Sequence, residues 1–269
     1  MKLFAYITSI ARWVACWFVA TFWILAIVLT SLVVKPRKLH KLWKFGFRMI
    51  TATAGLKVTV RGLEHIDPHK GYVYMTNHVN FAEPFTDMPA VPGWVVALEK
   101  VENFKLPIYG LLIKAWGNIP IDRSNTQAAL ASLAYAREVL ESGTSVAVMP
   151  EGTRSRDGKL GAFKKGGFHL ALDAGATIVP YAHKNLHTFN RTGSILLKPT
   201  EIEIVFTPPV DTREYTKETI NELMARVRGQ IEAELAVPMG GPLAHPLPEP
   251  GDSQRSLTSS PLDAALKNP

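Results

Sequence analysis

The first 63 residues contain no aspartate and no glutamate. Ten basic residues lie in that stretch, Lys2, Arg12, Lys35, Arg37, Lys38, Lys41, Lys44, Arg48, Lys57 and Arg61, and the rest of the chain holds 20 basic against 23 acidic side chains, a net of −3. The formal charge of +7 is therefore a property of the N-terminal end. A nucleic-acid binder spreads phosphate-reading charge over its folded domain, so no nucleic-acid partner is expected. Cysteine is nearly missing too. Cys16 alone occurs in 269 residues, which rules out an intrachain disulfide and suits a reducing compartment. No internal repeat is present. His183 and His187 are four apart, but Pro180 and Asn185 oppose a helix that would turn both toward one ion; they read as strand-end or surface histidines, and no metal site is expected.

Charges of either sign are absent from residues 13–34, a run of 22 residues that can cross a bilayer as a helix at about 1.5 Å per residue. A cleaved secretory signal has a shorter apolar core and a small-residue cleavage site, and no clear site of that kind comes before Lys35. An uncleaved membrane anchor is expected, with a two-helix membrane hairpin as a variant. Six of the ten basic residues fall between positions 35 and 48, against Lys2 and Arg12 on the other side, and basic flanks stay inside. The chain is thus expected at a membrane, with the domain that follows facing the cytoplasm. Residues 41–50 mix basic, aromatic and aliphatic side chains, which fits a helix lying in the membrane interface and equally an amphipathic helix packed on the domain.

Three parts are expected: an anchor and basic helix over 1–54, one α/β domain over 55–237, and a Pro-, Gly- and Ser-rich disordered tail over 238–269. Apolar runs at 58–60, 72–75, 94–98, 145–149, 177–180 and 201–206 are strand candidates separated by helical patterns. One helix is marked by a capping box of Ser124 with Gln127, an apolar face of Ala129, Leu133, Ala136 and Leu140, and Gly143 at its close. Another is expected over 217–235, with Ile220, Val227 and Ile231 on its inner side.

Chemistry concentrates in four segments. Asn77-His78-Val79-Asn80-Phe81-Ala82-Glu83 sets a histidine and a carboxylate five residues apart after a strand-like run. A histidine near its free pKa can take a proton from a hydroxyl, and a carboxylate beside it orients the ring and stabilises the imidazolium that forms. No serine or cysteine elbow accompanies the pair, which points to direct activation of a substrate hydroxyl rather than a covalent enzyme intermediate. Gly117-Asn118-Ile119-Pro120-Ile121-Asp122-Arg123 and Val146-Ala147-Val148-Met149-Pro150-Glu151-Gly152-Thr153-Arg154-Ser155 each place an arginine just beyond an apolar strand, where ligands gather in open α/β sheets. Phe163-Lys164-Lys165-Gly166-Gly167 precedes a helical stretch and then Ala176-Thr177-Ile178-Val179-Pro180; its lysines suit either a solvated pair or a phosphate contact at a helix start.

Taken in this order, the four segments resemble the motifs of the glycerophospholipid acyltransferase family, specifically the 1-acyl-glycerol-3-phosphate acyltransferases, over about residues 55–210. Pro150-Glu151-Gly152-Thr153-Arg154-Ser155 matches the family's third block completely. Glu83 stands where the family carries aspartate, and Pro120 where phenylalanine is common. Asp87 is the other nearby carboxylate, at a spacing the family pattern does not use. The resemblance implies a single αβα layered domain with a mixed sheet behind the N-terminal membrane helix or helices. It implies acyl transfer from acyl-CoA or acyl-carrier protein to the free hydroxyl of a lysophospholipid at a membrane, most simply 1-acyl-glycerol 3-phosphate, with no metal or organic cofactor. His78 would be the base and Glu83 its orienting acid. Arg154 and Arg123, with Lys100, would hold the acceptor phosphate, while Glu151, Gly152 and Thr153 shape the pocket. A different lysolipid acceptor, such as a lyso-ornithine lipid, is the alternative within this class. A membrane lipid-binding scaffold without catalysis is the alternative outside it, opposed by the presence of both His78 and the 151–154 block.

Overall fold

The strand candidates around 73–76 and 145–148 carry no charged side chain, and such strands persist only where both faces of a sheet are covered. The computed structural model describes residues 2–64, 66–191 and 194–244 and meets that need with helices on a mixed sheet. The strands are β1 (Leu56–Arg61), β2 (Val73–Thr76), β3 (Val95–Lys100), β4 (Ile119–Ile121), β5 (Ser145–Val148), β6 (Ile178–Lys184) and β7 (Thr200–Phe206). The helices are α1 (Lys2–Ser31), α2 (His40–Ala54), α3 (Glu83–Ala90), α4 (Tyr109–Trp116), α5 (Thr126–Glu141), α6 (Gly166–Asp173) and α7 (Ile220–Ala236). Strand order is β1-β7-β6-β2-β5-β3-β4. All neighbours run parallel except β6 and β7, so β1 and β7 oppose the other five. Every residue of β2, β5 and β6 is buried. Pro120 is tolerated because β4 is an edge strand, where a missing ladder donor costs least.

Two helix starts differ from the expectation. Asn125, not Ser124, caps α5: its side chain accepts from the amides of Gln127 and Ala128 at 3.0 and 3.1 Å. Ser124 is drawn instead to Asp122, to which its amide and hydroxyl donate at 2.9 and 2.6 Å. The C-terminal helix begins at Ile220, because the threonines at 216 and 219 bond each other in a turn just before it. Ile220, Val227 and Ile231 face inward as expected.

The N-terminal helix starts earlier than the charge-free run, and residues 3–31 are long and apolar enough to cross a membrane by length and composition, with mean hydropathy 2.2. It is not a free-standing rod. Ser9 exchanges hydrogen bonds with Leu197, the Trp13 indole donates to the Ile195 carbonyl at 2.8 Å and stacks on Phe81, and Ile24 and Ile27 join the main core. Gly46 of α2 permits the close crossing, since a Cβ there would come within 2.6 Å of the Trp23 ring. The opposite side of α1 exposes Phe4, Ile7, Phe18, Phe22 and Leu29. In the other helix, Trp43, Phe47 and Ile50 are buried on the domain, as an amphipathic helix packed there requires, while Leu42, Phe45 and Met49 are exposed beside Lys41 and Arg48.

Of the expected tail, residues 245–269 lie outside the described part. The stretch before it folds back on the domain: the Gly240 amide donates to Glu203, Arg61 donates to the Gly241 carbonyl at 2.7 Å, and the Ala244 amide donates to Glu234 at 2.7 Å.

Candidate active site

Four parallel strands, β2, β5, β3 and β4, end on the same edge of the sheet, and the residues singled out from the sequence follow directly after them or close their last turn. Just past β2, the buried Asn77 side chain accepts from the His183 amide at 2.8 Å and donates to the His183 carbonyl at 3.2 Å. It thereby stands in for the next rung of the β2–β6 ladder and lets the chain turn out of the sheet at His78. Asn80 closes that turn, accepting from the Ala82 amide at 3.1 Å.

His78 Nδ1 is in short hydrogen-bond contact with Glu83 Oε2. The other carboxylate oxygen accepts from the amides of Val79 and Asn80, at 2.5 and 2.7 Å. The Glu83 side chain is fully buried and the His78 side chain 24% exposed, so the imidazole can meet a substrate that the carboxylate cannot reach. Residue 83 opens α3, and the turn before it brings the Glu83 carboxylate back to the His78 ring and to the amides of Val79 and Asn80. Pro84 near the first helical position favours that start, because its fixed φ suits a helix and its missing N–H would have had no partner.

A second loop backs the first. Glu151 Oε1 accepts from the His78 amide at 2.7 Å and Oε2 from the Gly161 amide at 2.7 Å, so this buried carboxylate joins the histidine turn to the far end of its own loop. The Ser155 amide donates to the His78 carbonyl at 2.7 Å. Arg228 of α7 holds the loop from behind through the carbonyls of Leu160 and Gly161. Gly152 needs its φ of +73°, a value that strains any residue with a Cβ, and its carbonyl accepts from Arg123. A Cβ at Gly152 would lie 3.1 Å from the Lys164 ammonium and 3.2 Å from the Arg123 guanidinium. Two cations thus converge above this turn. Lys164 was not singled out from the sequence over its neighbour Lys165; its position beside the turn separates them.

Arg154 and Thr153 are exposed, and Arg154 makes no ion pair among the described residues. Asp157, which could have held it, instead accepts from the Ser155 hydroxyl and the Lys159 amide. Lys100 closes β3 beside Ile121 of β4 and pairs with Glu102 at 3.2 Å, both being more than half exposed.

Asp87 belongs elsewhere. It sits one helical turn beyond Glu83, where it meets His183 Nε2 at 2.5 Å and the Tyr181 hydroxyl at 2.9 Å. All three are buried. Burial pushes the His183 pKa down, but the Asp87 carboxylate, helped by Glu83 and the Asn77 carbonyl, overcomes this and raises it from 6.5 to about 9. Because the folded value lies above the unfolded one, the protonated ring stabilises the fold fully below about pH 6.5, and this contribution disappears as pH rises through about 9. The melting temperature is expected to fall across that window in the wild-type chain. In His183→Asn the baseline drops but the fall across the window is lost; parallel pH curves for the two proteins would overturn this account.

Two cavities flank the 186–198 segment. One, of about 610 Å³, is almost wholly apolar and is lined by Trp13, Cys16, Phe18, Phe81, Ala82 and Phe189 among others. The other, of about 650 Å³, is lined by Arg156, Asp157, His187, Thr188, Arg191 and Lys198. Among the described residues no cluster of three His, Cys, Asp or Glu side chains could hold a metal ion.

A buried carboxylate thus backs a reachable histidine at the carboxyl ends of parallel strands, with two cations converging nearby, and the Acyltransferase family model matches residues 57–184, from β1 through β6. A 1-acyl-sn-glycerol-3-phosphate acyltransferase from Salmonella typhimurium is 32% identical over 196 residues, covering 72% of this chain and 79% of that protein. One from Limnanthes douglasii is 35% identical over 174 residues, 64% of this chain, and the chain spans about 61% of the length of that relative. The crystal structure of the 1-acyl-sn-glycerophosphate (LPA) acyltransferase PlsC from Thermotoga maritima shares the fold, with a TM-score of 0.73 at 22% identity over 85% of this chain and 95% of that one. This chain belongs to the 1-acyl-sn-glycerol-3-phosphate acyltransferase family.

Proposed function

We propose that the protein transfers a fatty acyl group from a thioester donor, acyl-CoA or acyl-carrier protein, to the free hydroxyl of 1-acyl-glycerol 3-phosphate, giving phosphatidic acid. The observation that carries this reading is the partly exposed His78 backed by the fully buried Glu83. With Nδ1–H given to Glu83, the lone pair on Nε2 is free to accept the proton of the substrate hydroxyl. The hydroxyl oxygen then bonds to the thioester carbonyl carbon, the carbon–sulfur bond breaks, and the proton held on His78 passes to the departing thiolate. No metal or organic cofactor takes part in these steps.

Arg154 and Arg123 are assigned to the acceptor phosphate, with Lys164 beside them over the Gly152 turn and Lys100 at the rim. Glu151, Gly152 and Thr153 shape this wall. The apolar cavity, opening against Phe81 and Ala82 in the His78–Glu83 turn, suits an acyl chain. The exposed face of α1, together with Leu42, Phe45 and Met49 of α2, would lie against the membrane that supplies the lipid, with residues 1–54 as the membrane unit and 55–237 as the catalytic domain. The basic residues of positions 35–48 support a cytoplasmic side for that domain.

The test is transfer from a labelled acyl donor to lysophosphatidate and to a panel of lysolipids without a phosphate monoester. No transfer to lysophosphatidate would overturn the proposal. Arg154→Lys keeps the charge but loses the planar fork, so it should weaken lysophosphatidate use by about 10-fold, about 1.4 kcal/mol, and leave acceptors without a phosphate monoester little changed. An equal loss on all acceptors with a lower melting temperature would make Arg154 a loop support instead.

A further inference from the structure

The basic cavity has no part in the steps above, yet both of its walls are fastened to the catalytic turn. One wall, Arg156 and Asp157, starts one residue beyond Ser155, whose amide donates to the His78 carbonyl at 2.7 Å. The other wall runs from His187 to Arg191. It is tied to the same turn by Asn80, whose side-chain amide donates to the carbonyls of Leu186 and Asn190 at 3.3 and 3.2 Å. The Asn190 side chain in turn donates to the carbonyls of Ser194 and Leu196 at 2.8 and 2.9 Å, which shapes the loop leading to Lys198. Gly158 completes the enclosure, for a Cβ there would come within 2.8 Å of the His187 ring.

The described lining of this cavity is net positive, three cations against one carboxylate. Arg156, Arg191 and Lys198 form no ion pair among the described residues. Asp157, the one acidic side chain in the described lining, has Oδ1 turned to the Ser155 hydroxyl and the Lys159 amide, neutral donors that fix its orientation and leave the three cations in excess. Such a concavity takes a compact polyanion. The apolar cavity lies on the other side of the same 186–198 segment, through Phe189 and Leu197, so an apolar and a basic compartment adjoin one catalytic turn.

Resting on the acyl-transfer reading, we propose that the basic cavity binds the phosphates of the coenzyme A moiety of an acyl-CoA donor. Coenzyme A carries a pyrophosphate and a 3′-phosphate at the end of a long flexible arm whose far end is the thioester. Anchoring the phosphates beside Arg156, Arg191 and Lys198 leaves the arm to run along the Ser155 edge to the histidine. A cavity of about 650 Å³ is of the size that encloses a small ligand, whereas the acidic surface of a carrier protein calls for a broad, open basic face.

The experiment compares the full-length wild-type chain with the double variant Arg191→Ala, Lys198→Ala, both exposed positions whose replacement should leave the melting temperature unchanged. The KM for acyl-CoA should rise about 10-fold or more while kcat at saturating donor and the KM for lysophosphatidate stay within about twofold, because two phosphate contacts are lost and no group at the reacting atoms is touched. Acyl-dephospho-CoA, which lacks the 3′-phosphate, should be a poorer donor for the wild-type chain, and the variant should lose less on it than on acyl-CoA. An unchanged KM for acyl-CoA overturns the proposal. So does a rise in the lysophosphatidate KM instead, which would make this the acceptor's site, or a rise for acyl-carrier protein with acyl-CoA unaffected. Calorimetric binding of free coenzyme A, weakened in the variant, needs no acceptor. It separates failure of this site from failure of the acyl-transfer reading, which inactivity of the wild-type chain on lysophosphatidate would signal.

Discussion

His78→Ala is expected to lower turnover by roughly 100-fold or more, the usual scale of losing a general base, with little change in the KM for either substrate. The imidazole is only 24% exposed and its Nδ1 is engaged by Glu83, so the nitrogen left to take the hydroxyl proton is Nε2. Removing the ring leaves the binding walls in place. The Glu151 and Ser155 contacts that hold the turn are made to the backbone of residue 78, not to its side chain, and they persist in the variant. Steady-state kinetics with a melting curve decides the matter. A variant that folds and turns over at near the wild-type rate would remove His78 from the chemistry, and one that melts much earlier would show that the ring supports the fold.

The parts of the site that were legible in the sequence are those built from neighbours along the chain. His78 and Glu83 are five residues apart in one turn, and the 150–155 block is a single loop, so motif and contact coincide. What could not be read joins distant segments. Asp87 and His183 are 96 residues apart, and nothing periodic marks either; His183, expected at a strand end or on the surface, is buried inside β6, which runs four residues beyond the apolar run at 177–180. The bounds of helix α3 are not marked in the sequence, because eight residues carrying Pro84 and Pro89 show no sustained helical period, although proline at the first helical positions favours a helix. The orientation of α1 was equally hidden. In a helix that is apolar all round, the buried Ile24 and Ile27 look no different from the exposed Leu25 and Leu29, and only tertiary packing separates them. The cap of α5 was misplaced by one residue, since Ser124 and Asn125 are both good caps and the choice was made by Asp122 drawing the serine away.

Glu83→Gln should cost about 100-fold in turnover with a melting temperature close to wild type, and the reason is the tautomer it imposes. Glutamine has the same shape, and its carbonyl oxygen can still accept from the amides of Val79 and Asn80, as Oε1 does now. Its NH2 group then faces His78 Nδ1. A donor there requires Nδ1 to be the acceptor, so the single proton of the neutral ring moves to Nε2, and the nitrogen that faces the substrate can no longer take one. The loss of negative charge adds to this by leaving the imidazolium formed during transfer without its counter-ion. Substrate binding should hardly change, because the carboxylate is fully buried and touches no solvent-facing cavity wall. Nitrogen chemical shifts of the His78 ring would report the switch directly, from protonation at Nδ1 in the wild-type chain to protonation at Nε2 in the variant. Near-normal turnover alongside a switched ring would mean that Glu83 holds the turn together and nothing more; a low melting temperature with an unswitched ring would assign the lost activity to misfolding of the 78–83 segment.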